Sequence, residues 1–277
     1  MISFIICYLN KQYLSNLSNS IEFTTNVEFE IISIDNSVFN LSLSAAYNQG
    51  AKESKYPYLV FIHEDVEFLN TTWSESLVSI LKNKKNGLVG IAGSTYLPAV
   101  PSGWYLPNET LNNVFIHQGF KYSKKDMRYD NQGQDLTPVY LLDGVFLAMR
   151  KDVWKEFPFN ENLKGFHVYD VDLCQRVSTK YQNIFTNQIE LLHQSEGKVD
   201  KSYFQALLTY KLDMTTFNYP DRDYNLEFKI LTNFVLDLRK YFDKKECVLM
   251  TKPFIKIKYL GLKRYLLFWY FLKTNFN

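Results

Sequence analysis

Acidic and histidine side chains follow several apolar runs of this sequence, at positions where a buried strand would end. His63, Glu64 and Asp65 come directly after the run YLVFI at 58–62. Hard divalent cations such as Mg²⁺ and Mn²⁺ prefer carboxylate ligands and keep positions open for phosphate oxygens. A cation held there stabilises the negative charge that develops on a departing diphosphate. The triplet therefore predicts a metal site for a phosphate-containing substrate; a solvated turn is the alternative.

Three further polar sets lie next to predicted elements. Asp35 follows the run 28–34, where its carboxylate can accept a base N–H or form a turn. Asp170 and Asp172 lie at the N-terminus of a predicted helix, so one can cap the helix and the other can act as a general base. His193 ends the run LLH, and a single histidine in such a place is more often structural than a ligand.

Aromatic residues make up 17% of the chain, and most such residues belong to a core. Next to polar positions, however, their flat rings can stack on sugars or bases. His167 and Tyr169, which flank Asp170, are therefore candidates for lining a sugar site. Segment 95–137 is rich in Pro, Gly, Asn and aromatics, which predicts long functional loops with short strands over the sheet edge. We assign Trp104, within this segment, to acceptor binding.

Unbroken apolar runs alternate with helical patterns along most of the chain. The predicted strands are 2–7, 28–34, 58–62, 88–92, 138–149 and 183–192. The predicted helices are 11–21, 40–54 (with Asn40 as its N-cap), 72–85, 151–156 and 169–180. Continuous apolar strands joined by helices are typical of a mostly parallel sheet covered on both faces. Ligands bind beyond the carboxyl ends of such strands, so we expect the polar strand ends to meet.

The chain from residue 200 onward is predicted to be helical, because apolar residues recur every three or four positions. Its last stretch, 252–277, holds six basic residues and no acidic one, together with the run YLLFWYFL. One interpretation is a helix that packs on the domain or on a second subunit. The other is an anchor that lies in a membrane interface.

Composition excludes several classes of protein. A length of 277 residues suits one large α/β domain or one domain with a helical appendage, and an apolar content of 46% argues against disorder. A net charge of +2 gives no indication of the strongly basic surface that binds nucleic acid. Three cysteines cannot all pair and lack metal-ligand spacing, which favours a reducing, cytoplasmic compartment. We expect neither a secretory leader at MISFIICYLN nor a transmembrane helix.

The order of these segments resembles the family-2 glycosyltransferases of the GT-A fold over about residues 2–197. The residues that carry the resemblance are FIIC-YLN, EFEIISIDNS, AAYNQGAKES-KYPYLVFIHED, LLDGVFLAMRKDVW, FNENLKGFHVYDVDLCQR and LLHQSEG. They are most similar to a bacterial branch with motifs like LHDDV, DGVFLATRKDVW and GFHFYDIDF. The resemblance implies a Rossmann-like αβα sandwich at 1–199, with a nucleotide-sugar-binding half at 1–94 and an acceptor-binding half at 95–199. A helical extension at 200–277 follows.

The resemblance also implies roles for matching positions. The positions expected to contact the nucleotide sugar are Cys7, Tyr8, Leu9, Asp35, Asn48, Gly50, Glu64 and Asp65. The implied metal ligands are Asp65, His193 and His63, and the implied catalytic base is Asp170. The positions expected on the acceptor side are Asp143 and Gly144. Two positions depart from the family pattern, His63 in place of Asp and Tyr169 in place of Glu. His63 lowers the negative charge of the site by one and favours Mn²⁺ over Mg²⁺.

The implied function is inverting transfer from a nucleotide-diphosphate sugar, UDP-sugar favoured, to a glycan or lipid-linked acceptor in bacterial cell-surface polysaccharide synthesis. The implied setting is the cytoplasm. Segment 252–277 is a candidate for peripheral contact with the inner membrane face, and a homodimer is a candidate assembly. The altered metal motif motivates a second hypothesis, a catalytically impaired donor-binding or scaffolding relative. A nucleotidyltransferase is disfavoured, because the loop CYLNKQYLSN contains no glycine.

Overall fold

The computed structural model describes residues 1–120, 123–125, 135–195, 199–214, 217, 219–220 and 222–276. The chain forms two compact units. The sheet unit comprises Met1–Thr95 and Asn112–Gly197, and the helical unit comprises Tyr96–Leu111 and Lys198–Asn277. Segment Tyr96–Leu111 thus belongs with the C-terminal helices. The division of 1–199 into donor and acceptor halves stays a prediction.

The sheet unit contains fourteen strands and six helices among its described residues. The strands are β1 (Ile2–Tyr8), β2 (Phe29–Asp35), β3 (Tyr58–Ile62), β4 (Val66–Phe68), β5 (Asn86–Gly90), β6 (Ala92–Ser94), β7 (Asn112–Val114), β8 (His117–Phe120), β9 (Ser123–Lys125), β10 (Leu136–Val139), β11 (Leu141–Leu142), β12 (Phe146–Arg150), β13 (Gln182–Thr186) and β14 (Leu191–His193). The helices are α1 (Lys11–Thr24), α2 (Asn36–Phe39), α3 (Leu43–Glu53), α4 (Trp73–Lys82), α5 (Lys151–Glu156) and α6 (Tyr169–Val177).

The central sheet has seven strands in the order β10-β13-β5-β12-β3-β1-β2. Five of them run in one direction, and β10 and β12 run against the others. The predicted α/β fold is therefore confirmed, with a central sheet that is mixed and partly parallel. The other described strands form two smaller sheets, in the orders β11-β6-β7 and β4-β14-β8-β9. The apolar side chains of β1 and β3 from Ile2 to Ile6 and from Leu59 to Ile62 are buried, as expected for strands covered on both faces.

The strand β1 lies at the point where the chain changes direction across the sheet. From β1 the chain passes through α1 to β2 on one side, and then through α3 to β3 on the other side. Because both crossovers join parallel strands, the right-handed crossover rule places α1 and α3 on opposite faces. The carboxyl ends of β1 and β3 therefore open into a crevice, which is where ligands bind in this class of sheet.

Local chemistry sets the helix starts in this half of the chain. Asn10 caps α1 by accepting hydrogen bonds from the backbone N–H groups of Gln12 and Tyr13. The expectation that Asn40 caps the next helix is wrong, because Asn40 is the left-handed residue that ends α2, with φ of 49°. Ser42 caps α3 instead, through a 3.3 Å bond from the Ala45 N–H.

Two predicted strands are broken in the structure. The predicted strand 138–149 divides into β10, β11 and β12, and the Asp143 side chain accepts a 2.7 Å bond from the Val145 N–H at the turn. The predicted strand 183–192 divides into β13 and β14, with the Thr186 hydroxyl accepting from the Gln188 N–H. In both cases a side chain takes a backbone hydrogen bond and redirects the chain to another sheet.

The helical unit comprises four α-helices and two short 3₁₀ helices within its described part. These are Glu109–Leu111 (3₁₀), α7 (Lys201–Asp213), α8 (Tyr224–Leu238), α9 (Lys244–Thr251), Lys252–Phe254 (3₁₀) and α10 (Ile257–Phe276). The helix α10 is kinked at Gly261, where the backbone is non-helical with φ of 66° and ψ of 159°. No described helix of the protein combines the length and apolar composition that crossing a bilayer requires.

A buried carboxylate joins segment Tyr96–Leu111 to these helices. Glu227, on α8, is fully buried and accepts hydrogen bonds from the Tyr96 hydroxyl (2.7 Å) and from the N–H groups of Ala99 (2.8 Å) and Val100 (3.1 Å). Lys211, on α7, donates a 2.7 Å bond to the Pro98 carbonyl. A buried charge is tolerated only with such partners, so these bonds fix the segment on the helices.

We expect Gly50→Ala to destabilise the sheet unit, because an added Cβ would lie 2.5 Å from Cγ2 of Ile5 on β1. The overpacking should lower the free energy of unfolding by about 1–3 kcal/mol, against about 1 kcal/mol gained in helix propensity. Urea denaturation measures the change, and Lys52→Ala on the exposed face of α3 is the matched control. An unchanged midpoint together with weaker binding of UDP would instead support the donor-binding role predicted for Gly50.

Candidate active site

Three of the predicted metal ligands meet at the carboxyl end of β3. His63 follows β3 directly, and Asp65 precedes β4, which pairs with β14 so that Val66 lies opposite His193. The Asp65 Oδ1 and His193 Nε2 atoms are 3.4 Å apart, and their side chains are only 15% and 11% exposed. The rings of His63 and His193 have centroids 5.9 Å apart.

The His63, Asp65 and His193 side chains fit a divalent cation. Each offers one ligand atom, and these atoms all lie within 4.8 Å of one another. Atoms bound about 2.1 Å from a shared ion are at most about 4.2 Å apart, so small side-chain rotations complete the set. Two imidazoles and one carboxylate suit Mn²⁺ better than Mg²⁺, which favours oxygen ligands.

The electrostatics of this cluster suit metal binding as well. Burial lowers the pKa of His63, and the neighbouring His193 lowers it further, which keeps the His63 imidazole neutral. Burial raises the pKa of Asp65, but its hydrogen bond with His193, the charges of the nearby imidazoles and the Ser195 hydroxyl together hold it well below its ordinary range. A neutral imidazole and an ionised carboxylate are the forms that bind metal.

The two positions that depart from the family pattern contact each other. His63 Nε2 lies 2.9 Å from the Tyr169 hydroxyl, at the start of α6. Gly144 lies against the same hydroxyl so closely that a Cβ at this position would collide with the phenol. The His63 N–H donates a 3.1 Å hydrogen bond to the Val145 carbonyl, which connects the end of β3 to the turn before β12. Tyr169 therefore orients the His63 ring, and the missing side chain of Gly144 makes the room.

Asp170 lies beside this group with its carboxylate held by backbone amides. The Gly144 N–H donates to Oδ2 at 3.1 Å and the Val171 N–H donates to Oδ1 at 2.8 Å. Burial raises the pKa of Asp170 to about 7, and the nearby Asp143 carboxylate adds to the rise. A carboxylate with this pKa takes up and releases protons near neutral pH, as a general base must.

A cavity of about 210 Å³ opens beside the metal cluster. Its lining residues are Cys7, Leu9, Leu43, Tyr47, His63, Glu64, Asp65 and Phe166. This volume is below that of a pocket for a whole ligand, so it fits part of one. Sequence reasoning missed Leu43, Tyr47 and Phe166, although Phe166 lies in the GFHVYD segment and its position near Asp170 was a signal.

Other residues at this edge have structural partners. The Glu64 carboxylate accepts hydrogen bonds from the N–H groups of Leu9 (3.0 Å) and Asn10 (2.9 Å), which fixes the loop after β1. Glu64 is not part of the cluster that could hold a metal ion. Tyr8 donates a 3.0 Å hydrogen bond to Asp35, which lies opposite it in the β1–β2 register. Burial, followed by the charge of Glu64, raises the pKa of Cys7 to about 12, so its thiol is unreactive.

Asn48, Trp104 and His167 are not among the residues that line this cavity. The Asn48 amide makes four hydrogen bonds, with Trp154, Glu161 and both backbone groups of Phe159, and lines a separate hollow of about 590 Å³. This hollow shares no lining residue with the cavity at the metal cluster. Trp104 lies in the helical unit, edge-on to Tyr105, and His167 is half-buried in the loop before α6.

We expect Tyr169→Phe to weaken the binding of Mn²⁺ about 10- to 100-fold, because the His63 ring loses the hydrogen bond that orients it. Isothermal titration calorimetry with Mn²⁺ alone measures this change. Tyr181→Phe, which removes a phenol that bonds Glu156 on the surface, is the control and should leave the affinity unchanged. Equal affinity in both variants would show that Tyr169 does not position His63.

Comparison with solved structures places this site within a known fold. The structure of GalNAc-T7 with UDP, GalNAc and Mn²⁺ superimposes with a TM-score of 0.51 at 13% identity over 76% of this chain and 47% of that one. The TarS 1–349 structure from S. aureus with UDP-GlcNAc superimposes with a TM-score of 0.51 at 11% identity over 84% of this chain and 71% of that one. Similarity at this level of identity shows the GT-A fold.

Comparison of the sequence with known proteins identifies a relative and a family. A curated relative, "ATP synthase subunits region ORF 6" of Fuscovulum blasticum, is 24% identical over 161 residues, which are 57% of this chain and 59% of the relative. The chain thus spans less than two thirds of this relative and about half of GalNAc-T7. The model of the glycosyltransferase-like family matches residues 3–204, which include the His63, Asp65, Asp170 and His193 positions. The chain belongs to this glycosyltransferase-like family.

Proposed function

We propose that the protein is an inverting glycosyltransferase that moves a sugar from a nucleotide-diphosphate sugar to a hydroxyl of a glycan or lipid-linked acceptor. The observation that carries the proposal is Asp170, a carboxylate with a pKa raised to about 7 beside the His63–Asp65–His193 cluster. A base and a cation site next to the same crevice are what transfer to an acceptor hydroxyl requires.

In the proposed reaction, Asp170 removes the proton from the acceptor hydroxyl as its oxygen attacks the anomeric carbon of the donor sugar. The new carbon–oxygen bond forms on the face opposite the diphosphate. The old bond breaks with its electron pair leaving on the phosphate oxygen, and the proton stays on Asp170. The amides of Gly144 and Val171 hold both carboxylate oxygens, so the base is fixed before the acceptor binds.

His63, Asp65 and His193 are the residues that would hold a divalent cation, with Mn²⁺ preferred over Mg²⁺. When bound, the cation supplies positive charge that stabilises the departing diphosphate. Asp65 is the one carboxylate of the cluster, because the Glu64 carboxylate accepts hydrogen bonds from the loop after β1.

A UDP-sugar is the favoured donor. Both superimposed structures contain UDP or a UDP-sugar, which is a property of those proteins and supports the same donor class here. The crevice beyond β1 and β3 is where a nucleotide would lie in this fold. Asp35 and Tyr8, which are half-buried at that edge and hydrogen-bonded to each other, are the candidates for contacting the base.

We expect Asp170→Asn to lower the turnover number about 100- to 10,000-fold, because the amide cannot accept the proton. The same variant should keep the rise in melting temperature that UDP with Mn²⁺ produces in the unaltered protein, since binding stabilises the folded state. Asp237→Asn, which removes an exposed carboxylate of the helical unit, is the control and should keep full turnover.

Screening UDP-, GDP-, TDP- and CMP-sugars by the same melting assay identifies the donor. Transfer at the unaltered rate by Asp170→Asn would show that another group is the base. A donor that stabilises the fold yet is neither transferred nor hydrolysed, with Mn²⁺ present, would support the alternative of a catalytically impaired relative.

The pKa of Asp170 predicts the pH dependence of transfer. The ionised carboxylate is the active form, and its pKa is raised to about 7, so kcat/KM should rise through this pH and level off above it. A ¹³C NMR titration of the carboxyl in the protein without metal should show the same midpoint. Asp143→Asn removes the negative charge that adds to the rise, and it should therefore move the midpoint to lower pH. A profile already flat at acidic pH would contradict the assignment.

A further inference from the structure

The C-terminal helix α10 is apolar on two sides of its circumference. Phe268, Leu272 and Phe276, spaced by four residues, are buried in the helical unit. Leu262, Leu266 and Tyr270 have the same spacing on another side and are 62%, 59% and 68% exposed. A helix with apolar side chains on its outer face as well as its inner face requires a second apolar surface to cover it.

Two exposed lysines of α10, Lys263 and Lys273, adjoin its outer strip, which we define as Leu262, Leu266, Leu267, Trp269 and Tyr270. All six charged residues of 252–277 are basic. Lys263 and Lys273 are exposed on α10 itself, and Lys252 is exposed on the short helix before it. The Arg264 guanidinium, by contrast, donates to Asn225 within the unit and lies over the Phe228 ring. The strip is thus an apolar surface with a positive margin.

We infer that the outer strip of α10 docks on an anionic lipid surface. The apolar side chains would enter the boundary between headgroups and acyl chains, and the exposed lysines would remain at the level of the phosphates. Trp269 and Tyr270 suit that depth, because their rings are apolar and their N–H and O–H groups are polar. The absence of a membrane-crossing helix among the described ones fits a helix that lies on the surface.

A second copy of the chain is a poorer occupant. In a two-fold dimer the same patch faces itself, so the lysines of one strip would meet those of the other. The segment 252–277 has no acidic side chain to neutralise them. Phosphate headgroups of an anionic lipid supply that negative charge over the whole patch. The inference does not depend on the proposed transferase activity, since binding to lipid requires neither donor nor acceptor.

Co-sedimentation of the full chain with vesicles tests the inference. We expect binding to vesicles of phosphatidylcholine mixed with phosphatidylglycerol, weakened by added salt, and little binding to phosphatidylcholine alone. Lys263→Glu/Lys273→Glu should lower the partition coefficient about tenfold or more. Lys82→Glu/Lys85→Glu, which reverses two exposed charges in the sheet unit, is the matched control and should bind like the unaltered protein.

The apolar contribution is tested separately by Leu266→Glu/Tyr270→Glu, which should abolish vesicle binding while circular dichroism shows an unchanged melting temperature. Brominated lipid should quench tryptophan fluorescence, and Trp269→Phe should remove the quenching. Equal binding to neutral and anionic vesicles, or equal loss in the control variant, would overturn the inference. So would a dimer in sedimentation velocity that Leu266→Glu/Tyr270→Glu converts to monomer without any binding to vesicles.

Discussion

The placement of β1 between β2 and β3 is the constraint on which the site depends. Since the chain leaves β1 to one side and returns to β3 on the other, the loops after these strands diverge and leave a crevice. β12 runs against β3, so its amino end lies at the same edge, and the Asp143–Gly144 turn adjoins His63. The start of α6 contributes Tyr169 and Asp170 beside that turn. Segments from four separate parts of the chain are thereby brought together by one sheet.

The His63–Tyr169 contact places two neutral groups together in the crevice. Burial lowers the pKa of the His63 imidazole and raises the pKa of the Tyr169 phenol, so both groups stay uncharged there. Two carboxylates of the site differ in their surroundings: Asp65 faces the histidines and stays ionised, whereas Asp170 is held by amides and has a pKa raised to about 7. Different surroundings thus give two identical side chains different properties, which is what the proposed ligand and the proposed base need.

The sequence was sufficient to predict β3, which has the predicted bounds 58–62, and to place polar residues at the strand ends. It was sufficient because buried parallel strands are unbroken apolar runs with abrupt polar ends. The breaks at Asp143 and Thr186 were missed, since each depends on one side-chain hydrogen bond within a run of strand-forming residues. The assignment of Tyr96–Leu111 to the helical unit depends on Glu227, which is 128 residues from its partner Ala99. No local pattern contains such a contact.

Gly144 has a consequence for how this site can change in evolution or in the laboratory. Its missing side chain is the space that the Tyr169 hydroxyl occupies, and that hydroxyl in turn contacts His63. Substitutions at positions 63, 144 and 169 should therefore be strongly epistatic, because neighbours that share one contact do not contribute additively. A larger residue at 144 is compatible only with a shorter one at 169, and the imidazole then loses its partner. The three positions therefore have to change together, and libraries that vary one position at a time would contain few functional variants.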